Sequence, residues 1–166
     1  MMKIKEISPR TVEVLLIFIV SVFSGLAWNY LAGKNLDWDS LNYHFYGAYA
    51  LFEQRMGQDF FAAGVQGYLN PIAHVPFYLM VKNGFHSLLV GSVLAFIHCL
   101  NFIFLYLITG EIVGWGNKNL QGRILGFTLG VVSLPVWQLI GTSFADLTVL
   151  VPQLASVYIA LLAYRK

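Results

Sequence analysis

The sequence predicts an all-α integral membrane protein of about four transmembrane helices, with a long outer first loop that carries an amphipathic helix. Three observations lead there. Of 166 residues, 58% are hydrophobic and only 11% are charged, less than half the roughly 25% charge of an ordinary soluble domain. Mean hydropathy is +0.68. The charges are also so placed that four long runs contain none. Disorder needs the opposite composition. A net charge of +2 without a Lys/Arg block argues against nucleic acid as a partner. A single cysteine, Cys99, gives neither an internal disulfide nor a thiolate metal cluster.

The charge-free runs are residues 14–33, 83–110, 124–145 and 147–164. Each approaches or exceeds the ~18–20 residues that cross a bilayer as helix. The third contains Pro135 and the fourth Pro152, which membrane helices tolerate where neighbours satisfy the freed backbone groups. The first run has a basic start, as a signal peptide would. Its apolar stretch is long, however, and no A-x-A site follows, so it reads as a retained helix. With the N-terminus cytoplasmic, Lys3, Lys5, Arg10, Lys118, Arg123, Arg165 and Lys166 lie inside, and only Lys34, Arg55 and Lys82 outside, as the positive-inside tendency favours. This orientation fits a cell (inner or plasma) membrane. Asp37, Asp39, Glu53, Asp59 and Asp146 then fall outside, against Glu6, Glu13 and Glu111 inside.

The first outer loop runs from about Lys34 to Lys82, a length that is usually functional. Leu41, Phe45, Ala48, Tyr49, Phe52 and Met56 recur at helical spacing. They predict an amphipathic helix at the membrane surface, capped by Asp39 or Ser40 and ended by Gly57. Residues 72–81 are apolar but too short to cross, and predict an interfacial or re-entrant segment.

Several side chains on this outer side have chemical potential. Asp37 and Asp39, two residues apart, can converge on a hard cation such as Mg²⁺ or Mn²⁺, or Asp39 can simply cap a helix. Asp146 sits where two apolar runs meet, nearly intramembrane, where a carboxylate is costly and points to function. Alternatively it breaks two helices in a short solvated loop. Together the three carboxylates supply candidate metal ligands, and Asp39 can also serve as a general base. His44 and His74 lie on the same side without zinc-type spacing. His98 and Asn101, mid-helix, are expected to hydrogen-bond between helices, and Cys99 to serve packing. No P-loop, dinucleotide fingerprint, hydrolase elbow or kinase set occurs.

Four stretches carry a resemblance. Asp39-Ser-Leu-Asn-Tyr43 is similar to an Asp-x-x-x-Tyr at the start of a loop helix. Gly57-Gln58-Asp59-Phe60-Phe61 resembles a Gly-Asp-Phe-Phe-like stretch, with Gln58 intervening. Asn70-Pro71 through Pro76-Phe77-Tyr78-Leu79 resembles a proline-containing approach to the second crossing, and Ser143-Phe144-Ala145-Asp146 an acidic second-loop motif. In this order the chain resembles the N-terminal half of the transmembrane module of GT-C type glycosyltransferases, the group of the protein mannosyltransferases, aminoarabinose transferases and oligosaccharyltransferases. The resemblance implies that residues 1–166 form one transmembrane module, the N-terminal portion of a longer enzyme. It implies transfer of a sugar, with inversion, from a polyprenyl-phosphate-linked donor to an acceptor on the outer face. Asp39 would be the catalytic acid of the first loop, Asp146 the second-loop carboxylate near metal or acceptor. Tyr43, His44, Asp59 and His74 would contact substrate, a divalent cation would assist, and the rest of the membrane part or a partner subunit would complete the site. A reading from another class is a small non-catalytic polytopic protein that acts in assembly or packing.

Overall fold

The computed structural model describes residues 8–33, 35, 37–60 and 62–165. Lys3, Lys5, Glu6, Lys34, Phe61 and Lys166 lie outside the described residues. The described chain is helical, with one isolated bridge between Ala62 and Gly64.

Helix α1 (Pro9–Ala32) opens on Ser8, whose hydroxyl accepts the Thr11 N–H, with Pro9 in the first turn where its missing N–H costs nothing. The first loop holds a π-helical turn (Ser40–His44) running into α2 (Phe45–Phe52), then short 3₁₀ turns and α3 (Val75–Lys82). Helix α4 (Ser87–Val113) follows, then α5 (Leu120–Val131), α6 (Leu134–Leu139) and α7 (Ala145–Tyr164).

Three helices, α1, α4 and α7, are long and apolar enough to cross a membrane. Large apolar side chains such as Leu16, Phe23, Leu31, Leu129 and Ile159 stay exposed. So much bare apolar surface is unfavourable in water and suits a bilayer. The expected third crossing, residues 124–145, is not one helix. Pro135 has no N–H and crowds the preceding turn, so α5 stops after twelve residues and α6 starts afresh with Pro135 in its first turn. The Trp137 indole N–H caps the Val131 carbonyl across the break at 2.8 Å.

Helix α4 is the hub, contacted by α1, α3, α5 and α7. Small residues set these contacts. On α1, Ser21, Gly25 and Asn29 are buried at four-residue spacing. A Cβ on Gly25 would lie 2.3 Å from Cys99 Sγ, and one on Gly91 2.3 Å from Asn29 Oδ1. On α5, Gly122, Gly126 and Gly130 meet Val113, Thr109 and Leu105 of α4 in the same way. Close approach through small residues is how membrane helices gain packing energy without a hydrophobic drive. Around this seam Ala95, Cys99, Phe102, Ile140 and Leu147 form the core, with Trp28, Phe127 and Trp137 against it.

Polar groups lock the bundle from within. Asn101 Nδ2 donates to the Leu147 carbonyl at 2.7 Å, and His98 bridges Thr148 Oγ1 and the Gly141 N–H. Cys99 donates its thiol to the Ser21 carbonyl. His98 and Asn101 thus make the interhelical bonds expected of them, and Cys99 packs in the core as expected. Because His98 Nδ1 accepts from Gly141, its proton sits on Nε2, which donates to Thr148. At the end of the bundle that carries the start of α1, fully buried Arg123 grips Glu13 through two hydrogen bonds of 2.9 and 2.7 Å, and Tyr106 donates to the same carboxylate. Nearby, Glu111 takes Arg10, Arg165 and the Trp115 indole N–H.

The loop helix departs from expectation. Asp39 is helical at φ −62°, ψ −41° and makes no side-chain capping bond. The first helical hydrogen bond runs from the Leu41 N–H to the Asp37 carbonyl. The helix ends at Phe52, where Gln54 takes φ +53°, and not at Gly57. Its buried side is Ser40, His44, Gly47 and Ala48, while Leu41, Phe52 and Met56 are exposed. Of the predicted stripe Ala48 is buried and Phe45 and Tyr49 are half-buried, and a polar anchor sets the rest of the inward face.

Candidate functional site

That anchor is Ser143, in the turn between α6 and α7. The turn depends on Gly141, at φ +80°, where a Cβ would lie 2.6 Å from Asn29 Oδ1. Ser143 Oγ pairs with His44 Nδ1 at 2.7 Å and with Ser40 Oγ, which also receives Asn35 Nδ2. The Ser143 carbonyl accepts from His74 Nδ1 at 3.1 Å. This bond fixes the neutral His74 ring with its proton on Nδ1 and leaves Nε2 as an acceptor. Three chain segments remote in sequence, around residues 40–44, 74 and 143, thus close on one hydroxyl and one carbonyl. The π-helical widening at Ser40–His44 brings Ser40 and His44 to the same side; such widenings recur at functional sites.

The imidazoles stack, with centroids 4.2 Å apart and 17° between planes. Tyr43 and Phe144 meet His44 edge-on at 4.5 and 5.0 Å, and Tyr43 also faces the His74 edge. Both histidines are buried, which lowers their basicity. For His44 burial, reinforced by His74 and opposed by the Asp146 charge, pushes the pKa down to about 4. His74 is lowered by burial, against the Ser143 carbonyl and Asp146. Near neutral pH the pair is therefore uncharged. Tyr43 moves the other way. Burial raises its pKa, followed by the charges of Asp39 and Asp146 and a hydrogen bond to Asp39. One phenol thus lies in the field of carboxylates from both the first loop and the α6–α7 turn.

The candidate residues separate accordingly. Asp39, Tyr43, His44, His74 and Asp146 gather around the Ser143 turn. Asp146 occupies the first turn of α7. Asp37 lines a different cavity of about 210 Å³ with Gln138 and Thr142. Asp59 is held by Arg55 and by Tyr46 at 3.1 Å, and the Arg55 hydrogen bond lowers its pKa. Ion pairing divides the carboxylates the same way. Glu13, Glu53, Asp59 and Glu111 are paired with Arg or Lys, while Asp37, Asp39 and Asp146 have no ion pair among the described residues.

Ser40 and Ser143 also form one end of a cleft of about 520 Å³. Its polar end includes Asn29 and Asn35, and its walls are apolar, with Phe77, Val90 and Leu94. An apolar cleft with a few convergent polar groups is the usual form of a ligand site. The expected divalent cation has no protein cage here, because no three His, Cys, Asp or Glu side chains are grouped to hold one among the described residues. Sequence reasoning did not single out Ser40 and Ser143 as the hub. A serine carries no spacing signal, and only the folded contact between loops gives these two a role. Comparison of the chain with protein-family models, curated proteins and solved structures finds no match.

Proposed function

We propose that the chain is a membrane glycosyltransferase module that passes a sugar from a polyprenyl-phosphate-linked donor to an acceptor on the outer face of the cell membrane, with inversion. The observation that carries this reading is the meeting of the two outer loops. Asp39 and Asp146, neither ion-paired among the described residues, act on the same Tyr43 phenol beside an apolar cleft.

In this reading a carboxylate, Asp39 or Asp146, takes the proton of the acceptor O–H or N–H as that atom bonds to the anomeric carbon. The bond to the lipid phosphate breaks on the opposite face, its electron pair leaving with the phosphate, and configuration inverts as in inverting glycosidases. Tyr43 orients Asp39 through its O–H. Neutral His44 and His74 hold the second loop against the first without placing a competing cation beside the base. Asp39 or Asp146 would hold a Mg²⁺ or Mn²⁺ ion, which would supply charge neutralisation for the leaving group. The catalytic roles above do not require it.

The test is sugar transfer from a radiolabelled polyprenyl-phosphate sugar in membranes containing the full chain. Asp39→Asn is expected to lower the rate about 10²–10⁴-fold, the range for a lost general base, with Asp146→Asn comparable or milder. Asp59→Asn is expected to change it little. Unchanged transfer in both Asp39→Asn and Asp146→Asn overturns the reading and favours a non-catalytic assembly role.

A further inference from the structure

At the end of the bundle remote from the Ser143 turn, the charges of the described residues do not balance. Arg123 is matched by Glu13. Glu111, with its side chain only 5% exposed, is shared by two guanidiniums, Arg10 and Arg165, themselves 42% and 49% exposed. One anion between two half-exposed cations leaves positive charge facing outward. Arg10 makes both of its side-chain hydrogen bonds, to Glu111 and the Tyr158 hydroxyl, from Nη2. Its Nε and Nη1 donors have no partner among the described residues. The guanidinium is also fixed over the Trp115 ring at 4.2 Å.

Directly beside Arg10 runs a groove of about 410 Å³ between α1 and α4. Val14, Leu15 and Phe18 form one wall, Ile103 and Leu107 the other. From Arg10 to Phe18 a helix rises about 12 Å, close to the roughly 15 Å of hydrocarbon in one leaflet. A cation at the mouth and an apolar channel one leaflet deep match a molecule with an anionic head and an acyl tail. Basic pockets between membrane helices bind anionic lipid headgroups by this logic.

We propose that this groove is a binding site for an anionic phospholipid of the bilayer, with the phosphate on Arg10 and one acyl chain along Val14, Phe18, Ile103 and Leu107. The lipid offsets the surplus charge around Glu111 and fills the α1–α4 crevice.

The experiment titrates the detergent-purified full chain with phosphatidylglycerol and with phosphatidylcholine of identical chains, reading bound lipid by native mass spectrometry. Wild type is expected to bind phosphatidylglycerol at least about fivefold more tightly, the value of one guanidinium at an anionic lipid. Arg10→Gln is expected to erase the headgroup preference, and Arg10→Lys to keep most of it. Leu107→Trp, which fills the groove and leaves every polar contact intact, is expected to weaken both lipids alike. It decides the matter if Arg10→Gln does not fold. Glycerol phosphate, the head without the tail, is expected not to bind. Equal binding of the two lipids by wild type, phosphatidylglycerol binding unchanged in Leu107→Trp, or glycerol phosphate binding as tightly as the lipid, each overturns the proposal.

Discussion

Ser143→Ala removes one oxygen from the point where three segments meet, and the structure fixes what is lost. The Ser143 carbonyl stays, so His74 keeps its bond. Ser40 keeps Asn35 as a partner at 3.1 Å. His44 Nδ1, in a side chain 2% exposed, loses its hydrogen-bond partner at 2.7 Å. A buried polar group left unsatisfied costs about 1–3 kcal/mol, and exchanging CH2OH for CH3 vacates only the space of one oxygen. The net destabilisation should be about 2 kcal/mol, roughly a 30-fold shift in the folding equilibrium. Reversible denaturant titration in mixed micelles measures it. A double-mutant cycle with His44→Phe separates the hydrogen bond from general damage. A shared bond gives a coupling of about 1 kcal/mol or more, whereas independent sites add within about 0.5 kcal/mol. Additive behaviour, or a Ser143→Ala cost below about 0.5 kcal/mol, refutes the hub.

Other outcomes follow from the same structure. The His44 pKa of about 4 lies below its ordinary 6.5, so between these values the unfolded chain binds more protons than the folded one. Stability should therefore be complete above about pH 6.5 and fall towards pH 4; denaturant midpoints across that window check it, and the slope should flatten in His44→Gln. Gly91→Ala puts a methyl 2.3 Å from Asn29 Oδ1 and should cost about 1–3 kcal/mol as overpacking, while Gly57→Ala, with nothing within 4 Å, should be near neutral in the same titration. Arg123→Met leaves Glu13 without its cation and should cost about 3–5 kcal/mol, partly restored by adding Glu13→Gln.

The all-helical class and three helices long and apolar enough to cross a membrane were legible in the sequence because uninterrupted apolar length is a direct physical signal, and it survives folding. Residues 124–145 fold as two helices, which window hydropathy does not foresee because it adds over a window whatever the backbone does within it. Pro135 was visible, but whether a neighbour would heal the break or a cap would complete it depended on Trp137 reaching Val131. The loop helix misled for a related reason. Periodicity picked Leu41, Phe52 and Met56, yet a membrane protein has lipid available for its apolar side chains, so the polar face is the one that must find partners inside. Ser40 and His44 did so at Ser143. Spacing alone does not identify such partners, because Ser143 lies 99 residues from His44 and 69 from His74.

The same reversal explains which charges are free to do chemistry. A carboxylate near hydrocarbon is costly unless paired, and at the Arg10 end both described carboxylates are paired, Glu13 with Arg123 and Glu111 with Arg10 and Arg165. Glu13, Glu111 and Arg123 are structural charges, and their substitution tests folding. At the Ser143 end the buried positions carry neutral groups instead, two imidazoles and two serines, so the loops are joined there without a buried ion pair. The carboxylates beside them, Asp39 partly exposed and Asp146 exposed, are spared that structural duty. A base or phosphate-facing ligand must be both ionised and uncommitted, and along the described chain only Asp37, Asp39 and Asp146 lack an ion pair. Of these, Asp39 and Asp146 share the Tyr43 phenol. Tyr43→Phe then separates positioning from folding. It keeps the ring edge on His44, so stability should hold within about 1 kcal/mol, the net worth of one exposed-side hydrogen bond. With Asp39 as the base, the rate of sugar transfer should fall. A Tyr43→Phe protein with unaltered rate would sever the phenol from the chemistry and leave Asp39 without its positioning partner.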